Sequence, residues 1–123
     1  MCFSIDSQCV WQPSSAVGRL YMAYLAAVEH ELSISAGASN TPGDPDNIQI
    51  ASAVFVAFVS KLRQTYSESN HRILRRELSP VLFPAAVMLQ RAGHGASVFK
   101  DDPDQWDQID ACDASMTPCA ALQ

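Results

Sequence analysis

Apolar residues recur at steps of three and four from Val17 onward, through Leu20, Tyr21, Tyr24, Leu25, Val28 and Leu32. That spacing lines one helix face and predicts a first helix opened by Ser14 or Ser15 as N-cap, with Arg19, Glu29 and Glu31 opposite and Gly37 as its stop. No element is assigned before Ser14. The stretch Gly37 to Asp46, with Asn40, Pro42, Gly43 and Pro45, reads as a loop.

Asp44-Pro45-Asp46 has the form of a helix start, an acidic cap followed by proline at the first helical position. A second helix is expected from there to Ser67. Its residues Ile48, Ile50, Ala51, Val54, Phe55, Val56, Ala57, Phe58, Val59, Leu62 and Tyr66 cover more than one face, which places it centrally. A buried strand over Ala53 to Val59 is the alternative, disfavoured by length and by the amphipathic continuation through Leu62 and Tyr66.

A third helical segment carries Ile73, Leu74 and Leu78. Pro80 and Pro84 each lack the donor that a continuing helix uses, so a break near Ser79 and a fresh helix to Arg91 are expected. Gly93 and Gly95 close it, and Ala96 to Lys100 reads as irregular. Asp102-Pro103-Asp104 repeats the start signal and opens a short acidic helix through Ala114, with Trp106, Ile109 and Cys112 facing inward. The predicted fold is therefore all-α: a single domain over residues 1–123, built as a bundle of four to five helices around an apolar second helix. A chain of 123 residues, 48% hydrophobic, needs neither disulfide nor metal to supply its core.

Four cysteines change the picture at the ends. Cys2 and Cys9, and Cys112 and Cys119, are each seven apart. An antiparallel meeting of the termini would set Cys2 against Cys119 and Cys9 against Cys112. Free thiols, disulfides and a metal site all remain open on spacing alone. Zinc fits least well, because structural sites draw on knuckles with two to four intervening residues, and six intervene here.

The net charge of −5 is unevenly spread. Lys61, Arg63, Arg72, Arg75, Arg76 and Arg91 against Glu68 and Glu77 give residues 61–91 a charge of +4, whereas Lys100 against six aspartates gives residues 92–123 a charge of −5. The overall acidity argues against general nucleic-acid binding. Met1 to Gln12 lacks the basic and apolar regions of a signal peptide, so the expected compartment is the cytoplasm. Ile50 to Val59 and Val81 to Leu89 are about half the roughly 20 residues that span a bilayer, and no membrane association is expected. A prenylation box fails because the fourth residue from the end is not cysteine.

Candidate chemistry is sparse. Asp101, Asp104, Asp107, Asp110 and Asp113, with Asp102 beside the first, recur at every third position. A step of three drifts by about 60° around a helix, so these carboxylates form a slanting band instead of converging. A calcium loop also needs a central glycine and a final glutamate, both absent here. The band, together with Trp106, is read as a surface for a basic protein partner. Arg72, Arg75 and Arg76 share a helix face that can take an anion, or pair with the acidic tail helix. His30 lies in a failed zinc-protease pattern, since Ile34 occupies the second ligand position. His94, between two glycines, is the first histidine to test for catalysis or metal binding.

No phosphate loop, dinucleotide fingerprint or serine-hydrolase elbow occurs. The expected function is a small non-enzymatic interaction module, an inhibitor, adaptor, immunity-type or regulatory factor without a cofactor. It would act through its acidic C-terminal helix or another helix face, with a homodimer through Ile50 and Val56 also compatible. The alternative is a cysteine-dependent redox or metal-binding protein or enzyme.

Overall fold

The computed structural model describes residues 1–94 and 103–116, with the side chains of 103–106 outside the description. It corrects the expected all-α bundle. Among the described residues, four helices pack with a four-stranded mixed sheet, giving an α+β fold. In chain order the elements are β1 (Cys2–Ile5), β2 (Gln8–Trp11), α1 (Ser15–Leu32), β3 (Ala38–Thr41), β4 (Asp44–Ile50), α2 (Ser52–Glu68), α3 (Arg72–Arg91) and α4 (Pro103–Ser115).

The sheet runs β2-β1-β4-β3. β1 and β2 form an antiparallel hairpin whose two turn residues, Asp6 and Ser7, both have positive φ (53° and 64°). That backbone twist matches the twist of the strands it joins. β3 and β4 form a second hairpin through Pro42 and Gly43, and β4 pairs in parallel with β1, Phe3 opposite Ile48 and Ile5 opposite Ile50. These four side chains are fully or almost fully buried.

The second hairpin replaces the predicted loop and helix start. Asp44-Pro45-Asp46 opens β4, and the second helix begins only at Ser52. The β3–β4 register jumps from Asn40 opposite Ile48 to Thr41 opposite Asp44. Pro45 therefore falls in the irregular segment, where its missing N–H interrupts no ladder. Gly37, expected as a helix stop, instead leads into β3; α1 is closed by Ser33 in the left-handed conformation. Gly37 has φ +75°, and a Cβ there would lie 2.9 Å from Val54. Ala51 N–H donates to its carbonyl at 3.0 Å, so this close approach joins the two halves of the chain.

α2 is not the central helix. It buries one stripe, Phe55, Phe58, Val59, Leu62 and Tyr66, and leaves Val54 and Ala57 exposed. The central element is the second half of α3, where Val81, Leu82, Phe83 and Ala85 to Leu89 are all buried. α1, α2, α4 and β2 pack around α3.

α3 also passes unbroken through Pro80 and Pro84. The Arg76 carbonyl, which position 80 would normally satisfy, accepts from the Ser79 hydroxyl at 3.0 Å. The Tyr21 hydroxyl separately donates to the Val81 carbonyl at 3.1 Å, which ties α1 to α3. Prolines that would break an isolated helix are held here by burial and, at Pro80, by the Ser79 hydroxyl. Phe3, Trp11 and Tyr21 form an aromatic cluster, with Phe3 and Trp11 stacked at 5.1 Å and Tyr21 edge-on to both.

Arg91, at the end of α3, ties the last helix to the sheet. Its guanidinium donates to the Asp113 carboxylate (2.8 Å) and to the carbonyls of Val10 (2.9 Å), Asp113 (3.2 Å) and Met116 (3.1 Å).

Candidate functional site

The apolar stripe of α1 is wider than the core it covers. Gly18, Tyr21, Leu25 and Val28 turn inward. Val17, Leu20 and Tyr24, also assigned to the core from spacing, are 50%, 57% and 47% exposed. They form one face at i, i+3 and i+7 and wall an open groove of about 450 Å³. Trp11, Pro13 and Tyr21 contribute from beneath, Pro80 and Pro84 from α3, and Cys112, Ser115 and Met116 from the far side.

Across Pro80, Pro84 and Cys112, which line both, lies a second hollow of about 460 Å³. Tyr66 and Phe83 supply its apolar wall, packed edge to face at 5.8 Å. Arg75 and Arg76 stand at its rim, with Gln108 and Ala111 of α4 opposite. The Arg75 guanidinium lies 4.7 Å over the Tyr66 ring, which orients it at that rim. Arg76 is exposed and makes a long contact of 3.9 Å with Glu77. Arg72 is exposed at the start of the same helix, outside the hollow's lining.

Of the acidic band, Asp107 and Asp110 are exposed on α4. Asp113 is drawn inward by Arg91, with a closest approach of 2.7 Å. Asp104 and Trp106 belong to α4 but their side chains lie outside the described set, and Asp101, Asp102 and Cys119 lie outside the described residues altogether. Ile50 is 4% exposed in the sheet and Val56 packs against the core, so neither offers the aliphatic surface expected for a homodimer.

The cysteines do not pair as their spacing suggests. Cys112 is a free thiol beside Met116, at 3.6 Å from its sulfur, and not opposite Cys9. Burial first, and then the charge of Asp113, push the Cys112 thiol above its ordinary pKa, with Arg91 acting in the other direction. A thiol held protonated is a weak nucleophile. Cys2 is also free, and its sulfur lies 2.7 Å from that of Cys9, which is engaged in a disulfide.

His94 meets Asp6 at 3.0 Å across the β1–β2 turn. Hydrogen bonds from His94 and then Ser52 hold the exposed Asp6 carboxyl below its ordinary pKa. This places an acid between an imidazole and a hydroxyl, whereas an activated serine requires the imidazole between the other two. His71 caps α3, its Nδ1 accepting from Leu74 N–H at 3.4 Å, and His30 is exposed on α1. Among the described residues no group of three or more His, Cys, Asp or Glu side chains is placed to hold a metal ion. None of their helices is long and apolar enough to cross a membrane.

The fold and groove thus define a small α+β domain with a mixed sheet, a buried central helix and an open apolar groove on its helical side. The chain belongs to DUF6086, a family of unknown function whose model matches residues 1–118. No curated protein and no solved structure matches it.

Proposed function

We propose that the protein is a small non-enzymatic interaction module that binds an amphipathic helix of a protein partner in the groove beside α1. The observation that carries this reading is the row Val17, Leu20 and Tyr24, three large apolar side chains about half exposed along one wall of a 450 Å³ groove. Covering a row of this kind contributes roughly 1 kcal/mol per side chain, on the scale of about 25 cal/mol per Å² of apolar surface. An i, i+3, i+7 row facing a groove suits helix-in-groove recognition.

Charge indicates the rest of the partner. Asp107 and Asp110 on α4 favour basic residues beside the partner's apolar face, and Arg75 and Arg76 favour a carboxylate at the far end, past the Pro80–Pro84 ridge. Such complementarity fixes orientation and speeds encounter more than it adds affinity. The protonated Cys112 thiol in the groove wall supports binding over catalysis there.

The test is native mass spectrometry of the protein purified gently from its host, beside Leu20→Asp and a Gln64→Ala surface control. A second polypeptide at fixed stoichiometry in wild type and in Gln64→Ala, absent from Leu20→Asp, is the expected result. Retention by a folded Leu20→Asp, or its absence from wild type, would overturn the reading. A doubled mass lost in Leu20→Asp would replace the foreign partner with a second copy of this chain.

A further inference from the structure

The hollow past the Pro80–Pro84 ridge offers two unlike surfaces to one ligand. Tyr66 and Phe83, otherwise buried, form its apolar wall with Pro80, Pro84 and Ala111. Arg75 and Arg76 form its rim, and Gln108 stands across from them on α4. The Arg75 guanidinium is held 4.7 Å over the Tyr66 ring, and a stacked guanidinium keeps its N–H fork for an acceptor. Among the described residues no carboxylate pairs with Arg75, and Glu77 reaches Arg76 at a loose 3.9 Å.

We infer that this hollow captures the C-terminal residue of the partner helix, with the α-carboxylate on Arg75 and Arg76 and an apolar side chain against Tyr66 and Phe83. The inference rests on the reading of the groove beside α1 as that helix's seat. Pro80, Pro84 and Cys112 line both cavities, so a segment lying along the groove runs on into the hollow. An aspartate or glutamate side chain would bring charge without an apolar body, whereas a C-terminal residue carries a carboxylate and an apolar side chain on one Cα. The unsatisfied carbonyls at the end of a helix add partial negative charge, which the same two arginines complement. A helix arriving by its N-terminus would set its positive end against them. At about 460 Å³ the hollow has room for a side chain of leucine or phenylalanine size.

The test has two arms. In the first, isotope-labelled full-length protein is titrated with N-acetylphenylalanine, with N-acetylphenylalaninamide and with acetate, and backbone amide shifts are followed by NMR. The acid should move the signals of Tyr66, Ser79, Phe83 and Ala111 and bind about tenfold more tightly than the amide, the worth of one hydrogen bond to a charged group. Acetate, which has no apolar body, should bind more weakly than the acid. Arg76→Gln should reduce the preference for the acid and the double variant Arg75→Gln/Arg76→Gln should abolish it, the same spectra reporting that each is folded. Arg19→Gln, exposed on α1 outside both cavities, should bind as wild type does. Equal binding of acid and amide, shifts centred elsewhere, or an unchanged preference in either arginine variant overturns the inference.

In the second arm, the polypeptide that wild type holds and Leu20→Asp releases should end in an apolar residue and be depleted from the double variant in native mass spectra. If Leu20→Asp releases it while the double variant keeps it, or if it ends in a charged residue, the groove reading stands and capture of the terminus is overturned. If wild type holds no polypeptide while the hollow still prefers the acid, the groove reading fails, and capture of a partner's terminus is overturned in favour of a free amphipathic acid.

Discussion

Replacing Arg91 by alanine should loosen the last helix from the rest of the fold. The guanidinium is about a quarter exposed, its partner Asp113 about half, and it donates to a carboxylate as well as to carbonyls of Val10, Asp113 and Met116. Hydrogen bonds to charged groups contribute about 1.5–3 kcal/mol each when well buried, while an exposed ion pair contributes about 0–1 kcal/mol. Partial exposure and non-additivity bring the expected loss for Arg91→Ala to about 2–3 kcal/mol. For a chain of this size that lowers Tm by roughly 6–15 °C.

Urea unfolding followed by tryptophan fluorescence reads the loss, and hydrogen exchange shows whether α4 opens first. Arg91→Lys should recover less than half of it, because an ammonium cannot present a planar fork to several acceptors. Asp113→Asn should lose about 1 kcal/mol, since the carbonyl contacts of Arg91 remain. Arg91→Ala within about 0.5 kcal/mol of wild type, the usual scatter for a surface substitution, would refute the tie between α3, β2 and α4.

Tyr21→Phe should lose about 1 kcal/mol at neutral pH with its hydrogen bond to Val81. Burial raises the Tyr21 pKa, so the folded phenol stays neutral above the ordinary value of 10.0 while the unfolded one ionises. Stability from this group is therefore fully present below pH 10 and lost above it, by about 1.4 kcal/mol per pH unit. The gap between wild type and Tyr21→Phe should shrink from pH 8 to pH 11 in urea titrations; a constant gap would contradict the buried neutral phenol. Gly37→Ala should destabilise by about 1–3 kcal/mol, from positive φ together with the 2.9 Å approach to Val54. Val54→Ala in the same background should recover part of that loss in thermal unfolding, leaving the backbone strain.

The groove was only partly legible. Val17, Leu20 and Tyr24 stand out in the sequence as apolar positions, but spacing alone gave them to the core together with Tyr21 and Leu25. A helix face wider than its packing partner carries the same periodicity as one fully covered, and only the position of α3 and α4 distinguishes them. Arg75 and Arg76 were recognisable as a basic pair, yet their place at the rim of a hollow depends on Tyr66 and Phe83 packing beneath them. The Cys2–Cys9 approach was hidden because a pair of four-residue strands carries too little periodicity to announce a hairpin. Positive φ at Asp6 and Ser7 then brings residues seven apart side by side.

By itself the sequence determined what short-range physics controls: the first helix with Ser14 as its cap, the last helix entered through Pro103, and the uneven spread of charge. Asp44-Pro45-Asp46 carries much the same local signal as Asp102-Pro103-Asp104, yet it opens a strand. Its fate is decided by β1, about forty residues away, which pairs in parallel with Asn47 to Ile50 and needs Ile48 and Ile50 on one buried face. Tertiary structure likewise decided that α3 runs through two prolines, because the surrounding elements bury its second half, while the Ser79 hydroxyl locally satisfies the carbonyl that Pro80 leaves. Capping and periodicity act within a few residues, whereas strand pairing and burial take their energy from partners distant in the chain, and here the distant partners prevailed.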